Sequence, residues 1–152
     1  KFYNLDSDDR VLEIGCAKGF ILGEFLSHGL NIAGIDVSNY AINNSLPITR
    51  RFLAQGSCVK LPFPDNTFEL VYAKEMLPHL TLIELAIGID EIIRVSRANN
   101  IFFEIQVIEN LTNRNLMKAW DPTHKIIKTA DWWRKFFKSK AINCQVNFKE
   151  IF

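Results

Sequence analysis

Cysteine is scarce in this chain, and the little there is does not pair. Cys16, Cys58 and Cys144 are odd in number and far apart. No C-x-x-C and no His–Cys cluster occurs, so neither a disulfide framework nor a zinc site is indicated, and no metal is expected. Long apolar runs are also missing. No stretch reaches the length of a bilayer span and no secretory leader stands at the start, which points to a reducing, cytoplasmic setting and no membrane partner. A charge of one sign is absent overall: Lys+Arg 18 against Asp+Glu 17 leaves +1, no basis for treating the whole molecule as a nucleic-acid or membrane binder. The imbalance is local. Beyond Asn113, the residues Arg114, Lys118, Lys125, Lys128, Arg134, Lys135, Lys138, Lys140 and Lys149 face only Asp121, Asp131 and Glu150, so the tail is basic and the remainder acidic.

What is present suffices for one core. A chain of 152 residues with 48% apolar side chains is too short for two ordinary domains, and a single domain over 1–152 is expected. Its organising stretch is Val11-Leu-Glu-Ile-Gly-Cys-Ala-Lys-Gly-Phe20. An apolar run from Val11 to Ile14 leads into a loop with Gly15 and Gly19, and Ile21, Leu22, Phe25 and Leu26 then recur at helical spacing up to Gly29. Strand, glycine loop and helix in that order let backbone approach a ligand closely and aim the first helical amides at it. A nucleotide-like ligand suits such a unit.

The spacing narrows the choice. G-x-G-x-x-G needs glycine at 15, 17 and 20, where the chain has Gly15, Ala17 and Phe20, and the phosphate loop G-x-x-x-x-G-K-[ST] fails as well. What remains, Glu13-x-Gly15-x-Ala17-x-Gly19, resembles the first motif of the class I, Rossmann-like S-adenosylmethionine (SAM)-dependent methyltransferases, specifically the type 11-like domains. Ala17 stands where glycine is commoner in them. Asp36 closes the next strand, Asn31 to Ile35, 17 positions beyond Gly19 and near the roughly 20 at which an acid receives the ribose hydroxyls. Its competing reading is a cap for the helix that starts near Ser38. Gly34-Ile-Asp36-Val-Ser38 resembles the second family motif, Gly-x-Asp-x-Ser. Gly56-Ser-Cys-Val-Lys-Leu-Pro-Phe-Pro-Asp-Asn-Thr-Phe68 resembles Gly-Asp-Ala-x-x-Leu-Pro-Phe-x-Asp-x-x-Phe, with Ser57 in place of an Asp that accepts from the adenine amino group. A neutral hydroxyl makes that bond more weakly.

The resemblance covers Val11 to Ile105. It implies an α/β fold, a Rossmann-like three-layer α/β/α sandwich with a mostly parallel sheet and an antiparallel strand near the C-terminus. The alternation Ile142, Cys144, Val146, Phe148 against Asn143, Gln145, Asn147, Lys149 is read as that antiparallel, half-exposed strand. Further strands are expected at Arg51 to Gln55, Glu69 to Ala73 and Ile101 to Ile105, the last after a turn at Asn99-Asn100. Thr81-Leu-Ile-Glu84 is a capping box opening a helix with Leu85, Ile89, Ile92 and Ile93 inward and Glu84, Gly88, Glu91 and Arg94 outward. Gln106 to Lys128 lacks any sustained period and reads as a long loop, followed by a helix over Asp131 to Phe137. Family members carry a helix before the first strand and a closing pair of strands, so the chain is expected to be a fragment of a longer protein.

By the same resemblance the cofactor is SAM, with Glu13, Gly15, Cys16, Ala17, Gly19, Asp36, Val37, Ser57, Cys58 and Ala73 as its binding residues. Glu13 would organise the loop and the methionine ammonium, Asp36 the ribose, Val37 and Cys58 the flanks of the adenine, and the Ala73 backbone the ammonium. Each cysteine also reads as a small apolar filler. Methyl transfer from a sulfonium needs mainly alignment, and a general base only when the acceptor loses a proton. His124, His79 and Glu75 are the candidates, since histidine titrates in the useful range. Each has a structural alternative: His79 as a helix-entry residue, His124 as an exposed loop histidine, Glu75 as an orienting side chain. The expected activity is methyl transfer to a small-molecule acceptor, with O-methylation as one candidate chemistry and no nucleic-acid partner. Two alternatives stay open, a nucleic-acid methyltransferase on account of the basic tail, and a non-catalytic SAM-fold module on account of Ala17 and Ser57.

Overall fold

The computed structural model describes residues 5–97 and 100–151, so Asn99 of the expected turn lies outside them. Six strands, β1 (Arg10–Ile14), β2 (Asn31–Asp36), β3 (Leu53–Gln55), β4 (Leu70–Lys74), β5 (Ile101–Val107) and β6 (Gln145–Glu150), form one sheet in the order β3-β2-β1-β4-β5-β6. The helices are α1 (Phe20–Ser27), α2 (Asn39–Asn43), α3 (Leu82–Val95), α4 (Arg114–Trp120) and α5 (Ala130–Ser139). Among the described residues no helix is long and apolar enough to cross a membrane.

Two-residue periodicity divides β1 between two layers. Leu12 and Ile14 join a core with Leu85, Ile89 and Ile92 of α3 and with Trp133 and Phe137 of α5. Val11 points the other way, to Leu30, Leu70 and Phe25 of α1. The sheet is thus covered on both faces, as continuous apolar strands require. Trp133 of α5 is fully buried, and its ring stacks 5.8 Å from Phe137, which stacks 5.2 Å from Phe103; Trp132 is partly buried against the same core.

Four expectations are corrected. The last strand is parallel, not antiparallel, with Phe103 opposite Val146 and Ile105 opposite Phe148. Its alternation reports an edge position with one covered face; strand direction is set by the connection, and the crossover through α4 and α5 brings the chain back to enter in parallel. Within Gln106 to Lys128 the helix α4 forms, invisible to periodicity because Met117 is the one residue it buries. Arg51 to Gln55 is a 3₁₀ turn at Arg50–Phe52 followed by the three residues of β3. Gly88 faces inward, where a Cβ would come 2.9 Å from the Cys58 sulfur. The Thr81–Glu84 capping box is present as expected.

Candidate functional site

The glycine loop is fastened to the neighbouring strand by its own backbone. Ile35 O accepts from Gly15 N at 2.8 Å and Cys16 N at 3.2 Å. The chain then turns through three left-handed residues, Gly15 (φ 76), Ala17 (φ 46) and Gly19 (φ 73). A Cβ on Gly15 would stand 2.7 Å from Met76 Cγ, so side-chain-free backbone is what this position admits. Ala17 has no such freedom, and its strained φ is held from outside: its N–H donates to Asp36 Oδ2 at 2.8 Å. The other oxygen, Oδ1, accepts from Ser38 N at 2.8 Å, and Ser38 caps α2 through Ala41 N. The helix cap is thus Ser38 and not Asp36, which holds the backbone of the cap residue while also facing the cavity.

That cavity, about 380 Å³, opens at the carboxyl ends of β1 and β4, where the strand order reverses. Gly15, Asp36, Val37, Ser57 and Cys58 of the expected cofactor residues line it, together with His79 and Glu75. Glu13, Cys16, Ala17, Gly19, Ala73 and His124 stand outside that lining. Cys16 and Ala73 are buried, and Cys16 is packed against Gly34, where a Cβ would sit 2.8 Å from its sulfur. Burial pushes the Cys58 thiol up to about 11 and the Cys16 thiol up to about 12, so both are neutral fillers at physiological pH.

Glu13 is the electrostatic anomaly. It is 3% exposed, and its Oε2 has no hydrogen-bond partner among the described residues. Burial lifts its carboxyl to about 8, opposed by the Lys74 charge and reinforced by that of Asp36. Glu75, itself at φ 54, is engaged by Lys149 at 3.0 Å, and Lys149 also meets Glu104 at 2.9 Å.

The histidines form one cluster. His79 ends a 3₁₀ turn (Leu77–His79) and meets Thr123 Oγ1 through Nδ1 at 2.9 Å. Thr123 Oγ1 in turn meets Asp121 Oδ1 at 2.5 Å. His124 lies behind, its ring centroid 4.6 Å from that of His79. It is 2% exposed rather than a solvated loop histidine, and burial lowers its pKa, with the His79 charge adding to the fall.

Lys74, Met76, Leu80, Glu84 and Lys125 also line the cavity, and of these Leu80, Glu84 and Lys125 carried no signal of it in the sequence. The position of Lys74 and Met76 at the end of an expected strand was the available signal. Arg94, read as an outward scaffold residue, is the clamp of the segment that carries Ser57 and Cys58 into the pocket. It donates to Phe63 O at 2.8 Å, Leu61 O at 3.0 Å and Asp65 Oδ1 at 2.8 Å, and pairs with Glu91 at 2.7 Å.

With this geometry in place the class of protein is settled by comparison. The sequence profile of the family described as methyltransferase domain matches residues 12–103, and the chain belongs to that family. Among curated relatives, the sterol 24-C-methyltransferase erg6 of Schizosaccharomyces pombe is 33% identical over 102 residues, 61% of this chain and 26% of its own length. The uncharacterized methyltransferase YcgJ of Bacillus subtilis is 23% identical over 154 residues, 91% of this chain and 59% of its own. The chain spans about a quarter of the sterol enzyme and under two thirds of YcgJ. The crystal structure of YcgJ superposes with a TM-score of 0.76 at 19% identity, covering 90% of this chain and 62% of that one. A SAM-dependent methyltransferase from Archaeoglobus fulgidus gives 0.73 at 20% identity, covering 87% and 60%. The fold is that of the class I methyltransferases.

Proposed function

We propose that this chain transfers a methyl group from SAM to an oxygen of a small-molecule acceptor. The observation that carries the reading is Asp36, which braces the glycine loop through Ala17 and also lines the cavity. An ionised carboxylate offers about four lone-pair sites. Ala17 and Ser38 occupy one on each oxygen, which leaves the others for the two ribose hydroxyls.

The rest of the donor set fits SAM. Glu13 stands behind the loop, outside the lining, with one buried carboxyl oxygen unpartnered among the described residues; Val37 and Cys58 give the cavity an apolar flank for a purine, and Ser57 an acceptor at its edge. Cys16, Ala17 and Gly19 shape the loop, and Ala73, by resemblance, offers backbone to the ammonium. SAM when bound supplies a methyl already activated on a sulfonium, so what is left to the protein is alignment and, for an oxygen acceptor, removal of a proton. His79 is placed for the latter. Thr123 has one hydroxyl proton, and the 2.5 Å contact directs it to Asp121 Oδ1. Its oxygen must then accept from His79 Nδ1–H, leaving the Nε2 lone pair as the base. Glu75, tied to Lys149, and His124, behind His79, take supporting parts.

Four of the nine cations of the basic tail are paired with carboxylates of the chain itself. Lys140 is held by Asp90, Lys149 by Glu75 and Glu104, Lys125 by Glu84 and Arg134 by Asp131. A small molecule is therefore preferred to a nucleic acid, and a cytoplasmic setting suits three free thiols. Calorimetric titration with SAM and with its demethylated product tests the reading. One-to-one binding, followed by methyl release to members of a panel of phenols and alcohols, is expected. Absence of any binding heat for both would leave a module that has lost the cofactor and would end the enzyme reading.

A further inference from the structure

We propose that His79, Asp121 and His124 bind a late first-row divalent cation, Zn²⁺ foremost, behind the part of the cavity wall that His79 forms. One ligand atom from each of the three lies within 4.8 Å of the other two. Two imidazoles and a carboxylate are a donor set suited to zinc, with a fourth position left for water or a substrate oxygen. The spacings in the sequence, with His79 far from the Asp121-Pro-Thr-His124 segment, match no zinc motif, and the fold alone brings the three together.

His124 supplies an independent observation. Its side chain is 1% exposed, and its Nε2 has no hydrogen-bond partner among the described residues, with Asp121 Oδ2 3.5 Å away. A buried ring nitrogen left unbonded is costly. A cation between Nε2 and Oδ2 would satisfy both atoms at once.

The surrounding bonds hold the ligands ready. Pro78 O accepts from Lys125 N and Ile126 N, both at 2.9 Å, which fastens the loop after Asp121 to the turn that carries His79. Lys118 Nζ donates to Pro122 O at 2.6 Å and His124 O at 3.1 Å. Thr123 occupies Asp121 Oδ1 with its N–H at 2.9 Å and its hydroxyl at 2.5 Å, so Oδ2 is the oxygen left to ligate. Outer bonds of this kind fix ligand orientation. Zinc–ligand distances of about 2.0–2.2 Å require the three side chains to draw together on binding. His79 can make that movement because it borders the open cavity. The site rests on its own residues and not on the methyl-transfer reading; an ion held by the free ring nitrogen of His79 takes the lone pair that would otherwise act as base.

The test is titration of the metal-stripped protein with Zn²⁺ by calorimetry and with Co²⁺ by visible absorption. One ion per chain is expected, with a cobalt spectrum of nitrogen and oxygen ligands that lacks a thiolate charge-transfer band. Asp121→Asn and His124→Ala should each weaken binding by at least about tenfold, Thr123→Val by about tenfold as an outer-sphere change, and Cys144→Ser not at all. Circular dichroism checks that each variant is folded; if His124→Ala is not, Asp121→Asn and His79→Gln decide. No binding by the folded protein, binding unchanged in Asp121→Asn and His79→Gln, or a thiolate band would each overturn the site.

Discussion

Asp36 and Ala17 meet at 2.8 Å, carboxylate oxygen to backbone N–H, across the loop that joins β1 to α1. The bond makes one side chain responsible for two things: the φ of 46 at Ala17 and the polar wall of the cavity. Asp36→Ala should weaken SAM binding by on the order of 1.5–3 kcal/mol, the worth of a hydrogen bond to a charged group, which is roughly a tenfold to hundredfold rise in dissociation constant. The two effects can be separated. Adding Ala17→Gly relieves the unsupported backbone and should restore thermal stability without restoring affinity, whereas a dissociation constant unmoved in the single variant removes Asp36 from the ribose.

Glu13 leads to a pH prediction. Its carboxyl titrates near 8 in the folded protein and near 4.5 when unfolded. Below 4.5 both states hold the proton and burial carries no ionic penalty. Between 4.5 and about 8 only the folded state retains it, so this residue's contribution to stability falls as pH rises, and above about 8 it levels off. Glu13→Gln has no proton to lose. The variant should therefore gain on the parent between pH 5 and 8.5 by a few kcal/mol, on the order of one for each unit of displaced pKa. Urea denaturation of both proteins at the two pH values measures this, and parallel behaviour would mean that Glu13 is ionised and partnered in the folded state.

The part of the site that lies close in sequence was readable from it. Gly15, Gly19 and Asp36 belong to one strand–loop–helix–strand unit whose spacing is dictated by the closeness of β1 and β2, so geometry and sequence position say the same thing. Asp36 as helix cap and Asp36 as cavity wall looked like alternatives in the sequence; the cap fell to Ser38, and the carboxylate braces Ser38 N and Ala17 N from the cavity side. What escaped detection depends on distant contacts. Gly88 looked like an exposed helix position, because helical periodicity does not show that the Cys58 sulfur needs the space. Arg94 looked like a solvated charge because nothing local says that the turn after Leu61 will place two carbonyls beneath it. The direction of β6 was misread because period two measures one-sided burial, which a parallel edge strand shares with an antiparallel one.

Met76 fills the space that Gly15 leaves empty. A Cβ at Gly15 would lie 2.7 Å from Met76 Cγ and 2.8 Å from its Cβ, with the backbone already at φ 76. Gly15→Ala thus meets two separate penalties, one steric and one conformational. It should lower stability by about 1–3 kcal/mol and block ligand entry at the loop. Met76→Ala in the same chain removes the outer contact only, so recovery should be partial. Full recovery in a thermal melt would show that the left-handed backbone carries little of the cost.

Arg94 offers the sharpest test of how the far wall of the cavity is held. Its guanidinium binds the carbonyls of Leu61 and Phe63 and the carboxylates of Asp65 and Glu91, while Glu91 also accepts from Leu61 N at 2.7 Å. Lysine keeps the charge but cannot reach four acceptors from one planar fork. Arg94→Lys should then loosen the turn between Leu61 and Asp65 and, through it, the placement of Ser57 and Cys58, with a loss of about 1–3 kcal/mol in stability. Amide hydrogen exchange distinguishes the cause. Protection should fall at Leu61, whose N–H Glu91 holds only while Arg94 orients it, and stay unchanged at Ala17, which depends on Asp36 alone; a uniform fall at both would make Arg94 a support for the whole fold instead of a clamp on one wall.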